Sequence, residues 1–179
     1  LAAQAMHSNI VLSTFSNTHM GEANPEHPYK WFQLYWQGSR EKSLPLIQQA
    51  EQYGYRALVI TVDAPHVGIR DRERKIGFQL PEDMVHPHTP THLDFPNVSP
   101  SEHPLFQGLM QVAPKWSDIA WVIENTKLPV ILKGILHPAD AQKALDYGVS
   151  GIIVSNHGGR ILDTSISALT ALQKIRAIV

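Results

Sequence analysis

The chain has 179 residues, of which 43% are hydrophobic and 17% are charged, and its formal net charge is −1. This composition is typical of a globular protein with a substantial core, and the near-zero charge gives no basic surface for nucleic acid. The sequence contains no cysteine, which excludes disulfides, thiolate metal sites and cysteine nucleophiles.

The sequence also leads to expectations about the cellular compartment and about whether the chain is a fragment. No apolar run approaches the ~18 residues that a membrane span needs, and the first nine residues lack the basic start and apolar stretch of a signal peptide. We therefore expect a soluble protein, with the cytoplasm as the expected compartment. Because the chain begins with Leu1 and its first residues resemble the end of a helix, we expect residues 1–179 to be a central fragment of a longer domain.

Strands and helices alternate along the chain. Apolar, β-branched runs predict the first two strands, and helical spacing of apolar residues then predicts a helix that ends before Gly54. In chain order the predicted elements are strand Ile10–Thr14, strand Trp31–Tyr35, helix 40–53, strand Ala57–Val62, helix 117–125 with Ser117 as N-cap, strand Pro129–Lys133, helix 138–147, strand Gly151–Ser155 and helix 165–179, the last with Ile166, Leu169, Leu172 and Ile175 on one face.

Alternating strands and helices predict an α/β protein with a parallel sheet. The predicted strands start near 10, 31, 57, 129 and 151. The short spacings are typical of a (β/α)8 TIM barrel, of which about five of the eight strands are present, but a doubly wound sheet has similar spacings. The lack of a Gly-x-Gly-x-x-Gly motif after the first strand weakens that alternative.

The third strand is followed by a long segment, 64–115, that holds 8 of the 13 prolines and 5 of the 10 histidines. A stretch of this length with little regular structure is usually a lid, a binding loop or a disordered insertion. Because it follows the carboxyl end of a strand, where barrels build their active sites, we predict a mobile lid. Four of its histidines have a spacing that matches no helix or strand ligand set, and we predict no metal site there. They are His86, His88, His92 and His103.

Each predicted strand ends in polar or ionisable residues. A barrel gathers the carboxyl ends of its strands around one cavity, so these residues predict a shared site, although polar residues can also simply end a strand at the solvent. They are Ser13-Thr14, Gln33 with Tyr35, Thr61 with Asp63, Lys133-Gly134 and the segment from Ser155 to Arg160.

Two of these groups suggest specific chemistry. Lys133 ends an apolar run, so its ammonium needs either a neighbouring carboxylate or an electron-rich ligand. In the last segment, His157 suits proton transfer near neutral pH and Arg160 suits binding of a carboxylate. Asp63 could accept a hydrogen bond from His157 and fix its tautomer.

Together these motifs resemble the FMN-dependent L-2-hydroxyacid oxidases and dehydrogenases. The resemblance runs over nearly the whole chain, is weakest from about 82 to 113, and is most specific at the Ser-Asn-His-Gly-Gly-Arg segment. The motifs that carry it are Trp31-Phe-Gln-Leu-Tyr35, Thr61-Val-Asp-Ala-Pro65 with Gly68 and Arg70, Leu132-Lys-Gly134 and Ser155-Asn-His-Gly-Gly-Arg-Ile-Leu-Asp163.

The resemblance implies oxidation of a lactate-like or glycolate-like L-2-hydroxy acid to the 2-oxo acid, with FMN as the cofactor and electrons passing through flavin N5 to oxygen or another acceptor. It implies His157 as the base, Asp63 as its partner and Tyr35 as a hydrogen-bond donor to the substrate, and a homotetramer for the parent protein. It also implies Arg70 and Arg160 as the groups that hold the substrate carboxylate, and Ser13, Gln33, Thr61, Lys133 and Ser155 as flavin contacts.

The chain departs from the family pattern in three respects. Ile161 stands where the family usually has glutamine, and Phe15 stands at a position that lines the substrate pocket and varies within the family. The family's phosphate-binding segments and first strand are also absent, so we expect the 179 residues alone to bind FMN poorly and to turn over little. The alternatives are another FMN barrel, such as isopentenyl diphosphate isomerase, or an inactive remnant of a barrel.

Overall fold

The computed structural model describes residues 2–23, 26–64, 71–79, 81, 84–89 and 110–179. In chain order these form α1 (Ala2–Ala5), β1 (Ile10–Ser13), β2 (Lys30–Leu34), α2 (Arg40–Gln52), β3 (Leu58–Thr61), α3 (Asp71–Ile76), α4 (Met110–Val112), α5 (Trp116–Glu124), β4 (Val130–Ile135), α6 (Pro138–Asp146), β5 (Gly151–Val154), a 3-10 turn (His157–Gly159) and α7 (Ala168–Ile175).

The five strands form one parallel sheet in the order β1-β2-β3-β4-β5. Each new strand is therefore added on the same side of the preceding one. A doubly wound sheet reverses its strand order at a switch point, whereas a barrel does not. The sequential order confirms the predicted α/β class and favours an arc of a barrel over the doubly wound alternative.

Apolar strand residues place the central strands in the core. Phe32, Leu34, Leu58 and Ile60 are fully buried, as expected for a parallel sheet that is covered by helices on one face and by other side chains on the opposite face. At one edge of the sheet, Ile10 and Val11 of β1 are 41% and 44% exposed. This exposure agrees with the apolar edge expected of a partial barrel.

The helix predicted at 40–53 is present as α2, and its ends follow the expected capping. The Ser39 side chain accepts a hydrogen bond from the backbone N of Lys42, and Gly54 has a φ of +70° where the helix ends. The buried face consists of Ser43, Leu46, Ile47 and Ala50.

Two details of the predicted helices are wrong. Ser117 is not the N-cap of α5, because Lys115 holds that position, where its backbone N donates to the Asp118 carboxylate at 2.9 Å. The last helix is shorter than 165–179, and Leu169 and Leu172 are 72% and 44% exposed. Its buried residues are Ala171 and Ile175, so the face toward the core is rotated from the predicted one.

The segment 64–115 is described only in part. It contains α3 and α4 and the segment 84–89, and its role as a lid stays a prediction. In the part of the chain that the structure describes, no helix is long and apolar enough to cross a membrane.

Candidate active site

His157 and Asp63 form a hydrogen-bonded pair beyond the carboxyl ends of β5 and β3. The His157 Nδ1 lies 2.9 Å from the Asp63 Oδ1, and the two side chains are 20% and 10% exposed. A carboxylate only accepts hydrogen bonds, so Nδ1 carries the proton and the neutral ring keeps a lone pair on Nε2. The Tyr35 hydroxyl lies 3.4 Å from that Nε2. The three predicted catalytic residues therefore lie together.

The turn after β5 aims the imidazole ring at Asp63. His157 has a φ of +57° and the following Gly158 a φ of +74°. This conformation costs a residue with a side chain about 1–2 kcal/mol, and it is held in part by the Ser155 hydroxyl, which accepts a hydrogen bond from the His157 backbone N at 3.0 Å. Strain of this kind is found where surrounding contacts determine a side chain's direction.

Gly134 makes room for Asp63. The pairing of β4 with β5 shifts its register between Lys133 and Ile135, and Gly134 has a φ of +113° at this bulge. A Cβ at Gly134 would lie 2.5 Å from the Asp63 Cβ and 2.6 Å from its Cγ. Only glycine fits at this position, which the sequence indicated only as part of the Leu-Lys-Gly motif.

A row of polar side chains crosses four neighbouring strands. The Ser13 hydroxyl donates to Gln33 Oε1 at 3.1 Å, and Gln33 Nε2 donates to the Thr61 hydroxyl at 2.9 Å. Lys133 is the register partner of Thr61 on β4. Register partners on parallel strands point to the same face of a sheet, so these side chains form one polar strip.

Thr14 locks the ends of β1 and β2 together beside this strip. It is fully buried, its hydroxyl donates to the Gln33 carbonyl at 2.6 Å, and it accepts from the Tyr35 backbone N at 2.9 Å. The hydroxyl thereby fixes the backbone that carries Gln33 and Tyr35. The signal in the sequence was the position of Thr14 at the polar end of the first predicted strand.

The predicted cationic residues differ in how far the structure describes them. Lys133 makes no side-chain hydrogen bond or ion pair within the described ranges, so the alternative of a salt bridge to a neighbouring carboxylate finds no partner there. Arg160 is exposed beside the 3-10 turn. Arg70 lies outside the described residues.

Aromatic side chains adjoin the Tyr35 hydroxyl. The Phe15 and Tyr35 ring centroids are 4.9 Å apart, and the His86 ring meets Phe15 edge-on at 5.9 Å. Phe15 is 46% exposed. It therefore lies at an open side of the site, where a substrate side chain could contact it.

Two of the four histidines that were considered as metal ligands are described. His88 is buried and accepts a hydrogen bond from the Met20 backbone N, and His86 contacts Phe15. His92 and His103 lie outside the described residues. Among the residues that the structure does describe, no group of three or more His, Asp or Glu side chains could hold a metal ion.

Comparison with known proteins finds a family model and relatives that agree with one another. The model of the family of FMN-dependent dehydrogenases matches residues 1–179. An L-lactate oxidase of Alicycliphilus denitrificans is 41% identical over 99% of this chain and 50% of its own length. The human 2-hydroxyacid oxidase 2 is 39% identical, again over 99% of this chain and 50% of the relative. The chain thus spans about half the length of the curated relatives it matches.

Solved structures give the same result for the fold. A mandelate oxidase variant that holds an FMN adduct superimposes with a TM-score of 0.84 and 34% identity, over 99% of this chain and 48% of the other. A mandelate oxidase structure with (S)-2-phenylpropionate gives a TM-score of 0.82 and 36% identity, over 99% of this chain and 47% of the other. The five strands are therefore part of a TIM barrel. With a family model that matches every residue, the chain belongs to the family of FMN-dependent dehydrogenases.

Proposed function

We propose that the full-length protein oxidises an L-2-hydroxy acid to the 2-oxo acid with bound FMN, and that His157 is the base. The observation that carries this proposal is the contact of His157 Nδ1 with Asp63 Oδ1 at 2.9 Å. It leaves the unprotonated Nε2 beside the Tyr35 hydroxyl, at 3.4 Å. A base must have a free lone pair within reach of the substrate, and this pair supplies one.

The pair of His157 and Asp63 can also stabilise the proton that the base takes up. When Nε2 accepts a proton from the substrate, the ring becomes an imidazolium, and the Asp63 carboxylate stabilises that charge. The proton comes from the hydroxyl oxygen in a hydride route and from the α-carbon in a carbanion route, and the same two residues serve either route. Tyr35 donates a hydrogen bond to the substrate oxygen in this proposal.

Two arginines are proposed to bind the substrate carboxylate. Arg160 follows the His-Gly-Gly turn and is exposed, so its guanidinium can approach a substrate that is within reach of His157. A guanidinium binds a carboxylate through two parallel hydrogen bonds, which orients as well as attracts it. The same role for Arg70 rests on the sequence resemblance.

The polar strip fits the hydrogen-bonding edge of a flavin ring. Amide and hydroxyl groups of Ser13, Gln33 and Thr61 lie in one hydrogen-bonded row, and Lys133 continues that row as a cation on the same face of the sheet. We propose that these residues and Ser155 hold the FMN ring. Bound FMN supplies the acceptor for the two electrons of the oxidation. The Lys133 ammonium favours negative charge on the group that it faces.

The relatives support the choice of substrate class. Proteins named L-lactate oxidase and 2-hydroxyacid oxidase match nearly the whole chain, and we propose a lactate-like or glycolate-like acid, with oxygen or another molecule as the final electron acceptor. These relatives give no support to the isomerase alternative. The homotetramer and the cytoplasmic location stay predictions.

The test is a substrate panel on the full-length protein. The protein is loaded with FMN under anaerobic conditions, and bleaching of the flavin absorbance near ~450 nm is followed with glycolate, L-lactate, L-mandelate and the D-isomers. The proposal predicts bleaching by at least one of these acids and, for the chiral ones, by the L-isomer alone. Bound flavin that no hydroxy acid reduces would overturn the proposal and would call for a test of isomerase activity.

A further inference from the structure

His88 is buried, whereas the other residues of the segment 84–89 are exposed or half-buried. Its ring is 3% exposed, whereas the preceding Met84 and Val85 are 37% and 66% exposed. The Met20 backbone N donates a hydrogen bond to His88 Nε2 at 2.8 Å. This contact joins positions 68 residues apart in the sequence, so His88 fixes the segment 84–89 to the loop after β1.

The surroundings of His88 require a neutral imidazole. An Nε2 that accepts a hydrogen bond carries no proton. The ring stacks on His19, with centroids 5.4 Å apart, and meets the Phe32 ring edge-on at 5.6 Å. Burial, followed by the charge of His19, lowers the pKa of His88, and a smaller effect of the Thr14 backbone opposes this shift. Protonation would place two N–H groups opposite each other and bury an unpaired charge.

The anchored segment leads directly to the candidate active site. His86, two residues before His88, contacts the Phe15 ring at 5.9 Å. Phe15 lies 4.9 Å from the Tyr35 ring, and the Tyr35 hydroxyl is the neighbour of His157. Release of His88 would therefore remove the side chain that adjoins Phe15.

We propose that His88 is a positioning residue of the candidate active site. In its neutral form His88 docks the segment 84–89 and thereby supports the Phe15 side of the substrate pocket. When His88 is protonated, the segment is released. The effect on substrate rests on the proposed function, whereas the docking does not. His88 acts through Phe15 and Tyr35 and does not contact the proposed base, His157. We therefore expect a weaker affinity for the hydroxy acid when the segment is released.

The direction of the pH dependence follows from linkage. The free segment binds a proton with the ordinary histidine pKa of 6.5, and the docked segment binds it less readily. The released state therefore holds more protons as the pH falls below that value, and docking weakens toward acid. Among the residues that the structure describes, the other titratable groups around His88 and its partners are His19, Tyr53, Tyr55 and Lys30 on neighbouring elements and His86 on its own segment.

These neighbours add no negative charge that could hold an imidazolium. Tyr55 donates its hydroxyl to the Met20 carbonyl at 3.1 Å, and burial raises its pKa to about 12, so it stays neutral at physiological pH. The Lys30 ammonium lies 5.0 Å from the centroid of the Tyr55 ring. His19 and Lys30 can only disfavour a further positive charge.

The experiment measures docking and catalysis separately in the full-length, FMN-loaded protein. Docking is measured as the hydrogen-exchange protection factor of the Met20 amide at about pH 5.5 and about pH 7.5. Catalysis is measured as kcat and KM for the best hydroxy acid at the same pH values. The variants are His88→Gln, whose amide oxygen accepts a hydrogen bond at either pH, and His88→Leu, which cannot accept one. His7→Asn, at an exposed histidine outside this cluster, is the matched control.

The wild type and the control should lose protection at acid pH by up to about tenfold, with a rise in KM and little change in kcat. His88→Gln should keep its protection at both pH values, and His88→Leu should lack it at both. Wild-type protection that does not change with pH, or wild-type protection in His88→Leu, would overturn the proposal.

A further measurement covers the case in which the variants do not fold. The His88 ring is titrated by NMR in the wild type, and a midpoint below 6.5 is expected, whereas a midpoint at or above that value would overturn the proposal. The two proposals fail separately. If the Met20 amide shows the predicted protection pattern but no hydroxy acid is turned over, the proposed function alone is refuted. If the protection pattern is missing, the docking by His88 is refuted, whether or not hydroxy acids are turned over.

Discussion

Replacement of Gly134 by alanine should displace the Asp63 carboxylate, which is hydrogen-bonded to the proposed catalytic base His157. The new Cβ would lie 2.5 Å from the Asp63 Cβ, 2.6 Å from its Cγ and 2.9 Å from its backbone N. Carbon atoms in contact are about 3.5–4.0 Å apart, so Asp63 or β4 must move by about 1 Å. The φ of +113° also destabilises the variant, because residues with a side chain rarely adopt it. Backbone strain and overpacking each cost about 1–3 kcal/mol of stability. We expect a destabilisation of about 2–6 kcal/mol.

The larger effect should be on catalysis. A displacement of about 1 Å breaks the 2.9 Å bond between Asp63 and His157, and misplacement of this size can lower the rate by about 100-fold. The assay is anaerobic flavin bleaching by L-lactate in the full-length protein, together with urea unfolding.

Gly54→Ala is the matched control for this experiment. Gly54 also has a positive φ, of +70°, but no atom lies within 4 Å of the added Cβ. The control should therefore show backbone strain alone, with wild-type bleaching. If Gly134→Ala bleached at the wild-type rate and lost no more stability than Gly54→Ala, the inference that Gly134 positions Asp63 would be refuted.

Three further substitutions test electrostatic and hydrogen-bond contributions. Lys133→Met should slow anaerobic bleaching by about 100-fold or more, because it removes the cation at the end of the polar strip, and stopped-flow absorbance measures the rate. Tyr55→Phe should cost about 1 kcal/mol in urea unfolding at neutral pH, since the hydroxyl bond to the Met20 carbonyl is lost. Burial raises the pKa of Tyr55 from 10.0 to about 12. The wild type should therefore lose stability as the pH rises from 10.0 through about 12, whereas the variant should not, and the difference in their free energies of unfolding should shrink. Thr126→Val should destabilise the protein near neutral pH, because the Thr126 hydroxyl is the main cause that lowers the pKa of Glu51 from its ordinary value of 4.5. The wild type should lose this advantage as the pH falls below 4.5, and the variant should not. Thermal unfolding at pH values from about 6 down to about 3 measures the effect, which should vanish once the carboxyl is protonated in both states.

Much of the sheet could be predicted from the sequence because parallel strands buried on both faces need continuous apolar runs. The predicted strand Trp31–Tyr35 is observed as Lys30–Leu34, an offset of one residue that is ordinary at element ends. The N-cap of α5 was predicted wrongly because the capping group is the carboxylate of Asp118, three residues into the helix, rather than a serine hydroxyl at its start.

The candidate site was predictable where a motif follows a strand. The sequence placed His157 and Asp63 at strand ends, and the structure brings their side chains within 2.9 Å. The roles of Gly134 and His88 depend on contacts between segments that are distant in sequence. Crowding at Asp63 shows that Gly134 must lack a Cβ, and burial against Phe32 and His19 supports the proposed role of His88 in docking the segment 84–89. No local pattern contains either contact.

The central claim, that His157 is the base of an FMN-dependent oxidation of an L-2-hydroxy acid, is tested most directly by one rate. The full-length His157→Ala protein is loaded with FMN, the flavin spectrum is checked against that of the wild type, and anaerobic bleaching by L-lactate is timed by stopped flow. We expect an unchanged spectrum and a rate lower by about 10³-fold or more, since removal of a base and its partner's charge stabilisation costs at least this much. Bleaching of the variant at close to the wild-type rate would contradict the account.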